Sequence, residues 1–293
     1  MKKTYANLML FSTAIFWGIA FVVAKLAQDS FTTAVMLSLR MIIASVLFLA
    51  FNIKRLKKID KTLIHGGIVT GLLLSFVLLF QMYGLKVTTS SKAALITGLN
   101  IVFVPFIYWL VSKRRPHRSS YISIAVAALG MVFLTVDFKT SFVLSLGDSL
   151  VLVCSVCAAA HVVAISHYSK KCDSSILAML QIMVVAIVST GIAVFKDGYK
   201  LPPIGPEYLH IIYLGVFSTF GGFLMQSVGQ KYTSPTSASL ILCSEAMIGS
   251  LLAVFVLKEF MTGLMIFGCA VMFVGIVAEN LAAARRERLG EME

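Results

Sequence analysis

The sequence predicts an all-α integral membrane protein of ten transmembrane helices, built as two inverted five-helix repeats with both termini in the cytoplasm. Three observations predict it. The chain of 293 residues is 59% hydrophobic and only 13% charged. Its Lys and Arg residues gather in short clusters between long apolar runs. The segment QMYGLKVTTSSKAALI, from Gln81, returns as QSVGQKYTSPTSASLI, from Gln226, at a shift of 145.

Composition decides the class first. A soluble domain carries about 25% charged residues, and long apolar runs poor in charge are the mark of membrane-spanning helices. The net charge of +12 does not point to nucleic acid, because the clustered charges read as a topology signal. Lys2 and Lys3 followed by an apolar run resemble a signal peptide. The run is too long for one, no small-residue cleavage site follows, and the segment reads as a retained first helix.

A spanning helix needs about 20 mostly apolar residues. Ten segments qualify: 7–26, 33–53, 64–85, 91–111, 120–137, 146–167, 174–195, 207–229, 235–256 and 262–283. Outer-membrane strands, short and alternating, do not fit this pattern. The longest connector, residues 196–207, is rich in Pro and Gly, as a loop should be. Pro235 falls at a helix start, where its missing N–H costs nothing. Little chain remains for a soluble domain.

Orientation follows from Lys and Arg. With the N-terminus in the cytoplasm, the inner connectors hold seventeen of the 25: Lys2, Lys3, Lys54, Arg55, Lys57, Lys58, Lys61, Lys113, Arg114, Arg115, Arg118, Lys170, Lys171, Lys231, Arg285, Arg286 and Arg288. Seven lie at the outer side: Lys25, Lys86, Lys92, Lys139, Lys196, Lys200 and Lys258. Arg40 lies within a span.

The shift pairs Gln81 with Gln226, Gly84 with Gly229, Lys86 with Lys231, Thr88 with Thr233, Ala93 with Ala238, Leu95 with Leu240 and Ile96 with Ile241. Further on it pairs Lys113 with Lys258 and Gly130 with Gly275. Each copy is a helix end, a turn and a helix start. Five helices separate the copies, so one turn is outside and the other inside. Halves of 1–140 and 141–293 are expected, inverted about an axis in the membrane plane, a hallmark of secondary transporters.

The chain resembles the drug/metabolite transporter superfamily, and within it the EamA family of ten-helix carriers. The resemblance covers essentially the whole chain. It rests on FWGIAF at 16–21, SLRMIIA at 38–44, TTSSKAALI at 88–96, TSPTSASLI at 233–241 and EAMIGSLLAVFVLKE at 245–259. It implies two five-helix halves around a central cavity. It also implies a carrier, often an exporter, of amino acids, sugars, nucleotide derivatives or drug-like compounds, and leaves the substrate open.

A charged side chain at mid-bilayer costs on the order of 2.5–3.5 kcal/mol, so polar residues within spans mark the candidate site. Glu245, mid-helix 9, has Asn100 as its repeat mate in helix 4. The two either face a shared midplane site or fasten helices by hydrogen bonds. Arg40 lies nearer the outer end of helix 2. It is either an anchor within snorkelling reach or a fork for a substrate carboxylate. His161 is a proton carrier or a packing residue. Gln81 and Gln226 bind a polar solute or join helices. Trp17 and Tyr83 form aromatic cavity walls or pack elsewhere. Asp137, Asp148, Lys25 and Lys92 sit at helix ends near water. Small-residue pairs Gly67/Gly71 and Ser218/Gly222 serve close packing, and Pro105 bends helix 4.

Other classes fit less well. No phosphate loop, HExxH pair or nucleophile elbow appears, so no enzyme is expected. Cys154 and Cys157 share a helix face without a second ligand pair, and no metal or other cofactor is expected. The absence of an ATP-binding domain points to a secondary mechanism. The expectation is a monomeric carrier in the cytoplasmic membrane. It exports a small polar metabolite such as an amino acid, with protons and membrane lipids as further partners. A cationic drug efflux carrier is the alternative, and a channel or receptor the reading from another class.

Overall fold

The computed structural model describes residues 3–113, 118–135, 145–259 and 263–288. Lys2, Arg114, Arg115, Asp137 and Lys139, named above for topology, lie outside them. The described chain runs α1 (Lys3–Ala27), α2 (Thr33–Asn52), a 3₁₀ turn (Ile53–Lys58), α3 (Lys61–Val87), α4 (Ser90–Gly98), α5 (Asn100–Ser112), α6 (Arg118–Thr135), α7 (Leu146–Ser169) and α8 (Ser174–Asp197). It continues with α9 (Tyr208–Tyr213), a π segment (Leu214–Gly221), α10 (Gly222–Gln230), α11 (Pro235–Leu242), α12 (Ser244–Leu257) and α13 (Gly263–Arg288).

Among the described residues, eight helical segments are long and apolar enough to cross a membrane. The expected fifth and tenth spans are represented by shorter apolar stretches, Tyr121–Gly130 and Ile266–Gly275, inside α6 and α13. Expected spans 91–111, 207–229 and 235–256 are not single regular helices. The first and last are interrupted at Leu99 and Cys243, and the middle one contains the π segment.

The helices start where short polar side chains can cap them. Thr32, Asp60, Thr89, Asp173 and Ser234 each lie in extended backbone, and each side chain accepts a bond from an amide of the first turn. Ser145 and Asp148 close a full capping box on α7. Such caps satisfy amides that have no partner within the helix. Pro235 occupies the first turn of α11, as its sequence context predicts.

Residues 145 apart occupy matching places. Thr89 caps α4 and Ser234 caps α11. Lys113 and Lys258 end α5 and α12 in left-handed backbone, at φ 58° and 55°. One buried cluster holds the pairs Leu95 and Leu240, Ile101 and Ala246, Ile124 and Cys269, and Ala127 and Met272. Contacts between such pairs are reciprocal. A Cβ on Gly130 would lie 2.4 Å from Met272 N and 2.6 Å from Gly268 O. A Cβ on Gly275 would lie 2.8 Å from Ala127 N and 2.9 Å from Ser123 O. Each contact is the image of the other, as across a two-fold axis.

The same reciprocity relates earlier elements at slightly different offsets. The bare face of Gly84 meets Gly147 O and Val151, and that of Gly229 meets Ala6 O and Leu10, so α7 matches α1 at an offset of 141. Gly71 meets Gln181 O and Val184, and Gly215 meets Arg40 O and Ile43, which gives α8 and α2 the same offset. Gly67 and Gly71 thus serve the close packing that their spacing predicts, with α8 as their partner.

The α6–α13 seam yields a prediction. Added side-chain atoms at Gly130 or Gly275 meet backbone, which cannot rotate away. Gly130→Ala and Gly275→Ala should each destabilise by about 1–3 kcal/mol, and by similar amounts because the contacts are images of one another. Thermal unfolding of the purified variants reads this. An unchanged Tm in either would contradict the seam.

Candidate functional site

Two helix interruptions build the centre. At Leu99 and Cys243 the chain tightens into 3₁₀-type bonds: Val102 N donates to Leu99 O at 3.0 Å and Ala246 N to Cys243 O at 3.0 Å. The breaks abut, since Cys243 Sγ lies 3.7 Å from Gly98 O. Asn100 and Glu245 follow the breaks directly, at the first turns of α5 and α12. Their position matches the half-helix N-termini that carry solute sites in transporters.

The π segment is the third irregular element. Regions of this kind inside helices are frequent at functional sites. Here it frees acceptors that neighbouring helices use. Trp17 Nε1 donates to Ser218 O at 2.9 Å, and Thr13 Oγ1 donates to Gly222 O at 3.2 Å. The segment also holds Arg40. Arg40 Nε donates to Thr219 Oγ1 at 2.9 Å and Nη2 to Ser218 Oγ at 3.1 Å.

These elements surround a small cavity of about 70 Å³, below the range usual for small-molecule sites. Seven residues expected from sequence line it: Trp17, Arg40, Gln81, Asn100, His161, Gln226 and Glu245. They come from seven different helices, so only the fold assembles them. Tyr83 is not among the lining residues. It lies two positions beyond Gln81, about 200° around the helix, and its ring sits under Lys196 Nζ at 4.5 Å. The aromatic wall opposite Trp17 is Phe223 instead, with ring centroids 5.0 Å apart.

Arg40 corrects another expectation. It does not snorkel toward water but is 3% exposed, because the π segment offers it hydroxyl acceptors inside the bundle. Among the described residues it pairs with no carboxylate, and no hydrogen bond or ion pair reaches the Glu245 carboxyl group. Asn100 Oδ1 and Gln226 Oε1 are buried without a hydrogen-bond partner. His161 Nε2 lies 2.9 Å from Gln181 Oε1, a packing partner across α7 and α8. Gln81 Nε2 donates to Thr97 Oγ1 at 3.3 Å.

The sequence reading missed Thr97, Thr219 and Gln181, and treated Ser218 only as a small residue. Their signal was present as polar side chains within apolar runs, at the depths of the residues it did single out. Lys25 and Asp148, read as solvated helix ends, are instead bonded within the bundle. Lys25 Nζ donates to Leu85 O at 2.7 Å and Thr88 O at 2.8 Å. Asp148 is 4% exposed and accepts from Thr88 Oγ1 at 2.6 Å.

The described helices include eight segments long and apolar enough to span a membrane, and they surround a cavity of apolar walls set with a few polar side chains. The profile of the EamA-like transporter family matches the chain twice, over residues 4–136 and 145–280. The chain belongs to this family and is a multi-span membrane transporter. It is 31% identical over 281 residues to an uncharacterized transporter of Archaeoglobus fulgidus, covering 96% of this chain and 87% of that protein. A second uncharacterized transporter of that organism is 26% identical over 289 residues, covering 94% and 98% of the two chains. A third, from Clostridium kluyveri, is 24% identical over 297 residues, covering 94% and 93%. One crystal structure shares the fold at a TM-score of 0.78 and 18% identity, with 98% of this chain and 100% of the other covered.

The hold on Arg40 is testable. A hydrogen bond to a charged group contributes about 1.5–3 kcal/mol. Thr219→Val, nearly the same size, should therefore lower stability by that order in thermal unfolding, and Thr219→Ser should restore most of it. Equal stability of Thr219→Val and the parent would show that Arg40 draws nothing from this hydroxyl.

Proposed function

We propose that the protein is a secondary carrier that moves a small zwitterionic metabolite, an amino acid or a related solute, across the cytoplasmic membrane by alternating access, as an exporter. One observation carries the reading. Arg40 and Glu245 line the same buried cavity, and among the described residues neither has an ionic partner. Burying two such groups unpaired is expensive. A solute that brings one charge of each sign relieves both. Its carboxylate would take the guanidinium of Arg40, which makes charge-assisted forks. Its ammonium has three donors, and Glu245, Asn100 Oδ1 and Gln226 Oε1 supply acceptors without other bonds.

In this reading ten spans form two five-helix halves, 1–140 and 141–293, inverted with respect to each other. Both termini are cytoplasmic, as the Lys and Arg distribution indicates. Rocking of one half against the other opens the cavity to each side in turn. Glu245 also carries the coupling proton when no solute is bound. The working unit is a monomer in a lipid annulus.

A second reading is supported by the cavity's apolar walls, which include Trp17, Phe21, Leu78 and Phe223. A hydrophobic cation would use Glu245 and these rings and leave Arg40 unused. Proteoliposomes containing the purified protein, loaded with a panel of amino acids, other metabolites or cationic dyes, separate the two. The zwitterion reading expects exchange of amino acids, with Arg40→Met and Glu245→Gln each cutting transport on the order of tenfold or more. Dye transport insensitive to Arg40→Met would replace it with the efflux reading.

Two further outcomes are expected. Glu245→Gln, measured across roughly pH 5 to 8, the range in which perturbed carboxyl and histidine groups titrate, should lose the pH dependence of the transport that remains. Near-parental rates with unchanged pH dependence would remove Glu245 from the mechanism. For orientation, single cysteines replacing Lys57 or Arg115 should react with impermeant reagents only from the cytoplasm, and one replacing Lys200 only from outside. The reverse pattern would overturn the orientation.

A further inference from the structure

The offsets of 141 and 145 let the two ends of the bundle be compared residue by residue, and the ends are not equivalent. At the end where α3 turns into α4, the closing contacts are made by charged groups. Lys25 Nζ caps the carbonyls of Leu85 and Thr88. Asp148 accepts from Thr88. Glu259 accepts from the amides of Ser90 and Ser91 at 2.9 and 3.1 Å, and from Ser91 Oγ at 2.5 Å. Gln28 Nε2 adds a bond to Met82 O at 2.8 Å.

At the other end, where α10 turns into α11, the positions corresponding to Lys25 and Asp148 are neutral, and the position corresponding to Glu259 is Arg114, outside the described residues. Lys25 corresponds to Ser166, Gln28 to Ser169, Met82 to Ser227, Thr88 to Thr233 and Ser91 to Thr236. Among the described residues, the hydroxyls of Ser166, Ser169, Ser227, Thr233 and Thr236 are all buried without a hydrogen-bond partner. Asp148 corresponds to Asn7, an amide without charge, and Ser90 to Pro235, which has no amide hydrogen to offer. At the first end, only Gln28 Oε1 and Ser90 Oγ are left unpaired among the groups compared.

We propose that Lys25, Asp148 and Glu259 form a charge-assisted latch that closes one end of the carrier, and that the opposite end is a weaker closure lined by hydroxyls. Hydrogen bonds to charged groups are about twice as strong as neutral ones. The latched end therefore opens the less readily, and the resting carrier is closed there. Placing this end on the outer face rests on the orientation and carrier reading above. On that placement, the resting carrier takes its solute from the cytoplasm, and bound solute must supply what breaks the latch.

The test needs no solute. In full-length protein with the five native cysteines replaced, Ala158→Cys puts a reporter thiol on the cavity wall. Its reaction with an impermeant maleimide is followed from each side of oriented vesicles. Glu259→Gln and Asp148→Asn should each raise the rate from the latched end by about threefold or more, and together by on the order of tenfold. Thr236→Val and Ser166→Ala should change the rate from their own end by less than about twofold. Conversely, Asn7→Asp, which places a carboxylate at the position corresponding to Asp148, should slow labelling from that end. Parental rates in both latch variants, or equal gains at the two ends, would overturn the proposal. Where a latch variant unfolds, Thr88→Val removes the hydroxyl bound to Asp148 without touching the acid, and the same rise is required of it. Labelling that shifts as expected in a protein that moves no amino acid would leave the latch standing and sink the solute assignment; the opposite pairing would do the reverse.

Discussion

Lipid offers no hydrogen bonds, so every backbone group freed inside the bundle must be answered from within it. Much of the described centre follows from that constraint. The chain loosens at Leu99, at Cys243 and along Leu214–Gly221, and at each place another element responds. Trp17 and Thr13 take carbonyls released near the π segment. The first two interruptions lie against each other. Asn100, Ser218 and Glu245, at or beside these places, line the cavity. A regular bundle of the same sequence would have nowhere to hold Arg40, because Ser218 and Thr219 present their hydroxyls through the π segment.

Much of the fold was legible in the sequence because it depends on periodicity and composition. Apolar run lengths mark the spans, and the repeated segment from Gln81 and Gln226 marks the correspondence that the structure displays in paired caps and paired contacts. The cavity residues were legible for a related reason. A polar side chain within an apolar run must face something other than lipid, and Trp17, Arg40, Gln81, Asn100, His161, Gln226 and Glu245 do so together. What could not be read is what depends on rotation about a helix or on hydrogen-bond register. Tyr83 is polar at one end and close to Gln81 in sequence, yet it points elsewhere. The π segment shows only as one residue more between Gly215 and Gly229 than between Gly71 and Gly84, and FSTFGG gives no local sign of it. The depth of Arg40 followed from sequence only as distance along a span, and that distance says nothing of the acceptors waiting on another helix.

Electrostatic economy explains why the centre is sparse. Among the described Lys and Arg residues, one lines the cavity. A buried charge without a partner is costly, and a permanent ion pair between Arg40 and Glu245 would satisfy both and leave nothing for a ligand. Holding Arg40 with two hydroxyls lowers its cost without neutralising it. The site thereby keeps a charge that a ligand can meet, at the expense of stability in its absence.

The reciprocal seam between α6 and α13 has a consequence for how such a protein can change. Gly130 faces Met272 while Gly275 faces Ala127, so either half presents a surface complementary to its own image. Two separate copies of a half would meet the same way, but every alteration would then appear at both places at once. Joined in one chain, the halves are free to differ, and they differ where action requires it. Asn100 corresponds to Glu245, Pro105 to Ser250, and Asp148 to Asn7. The seam keeps the old symmetry because packing demands it, while direction becomes a property that single substitutions can write on one side of the axis and not on the other.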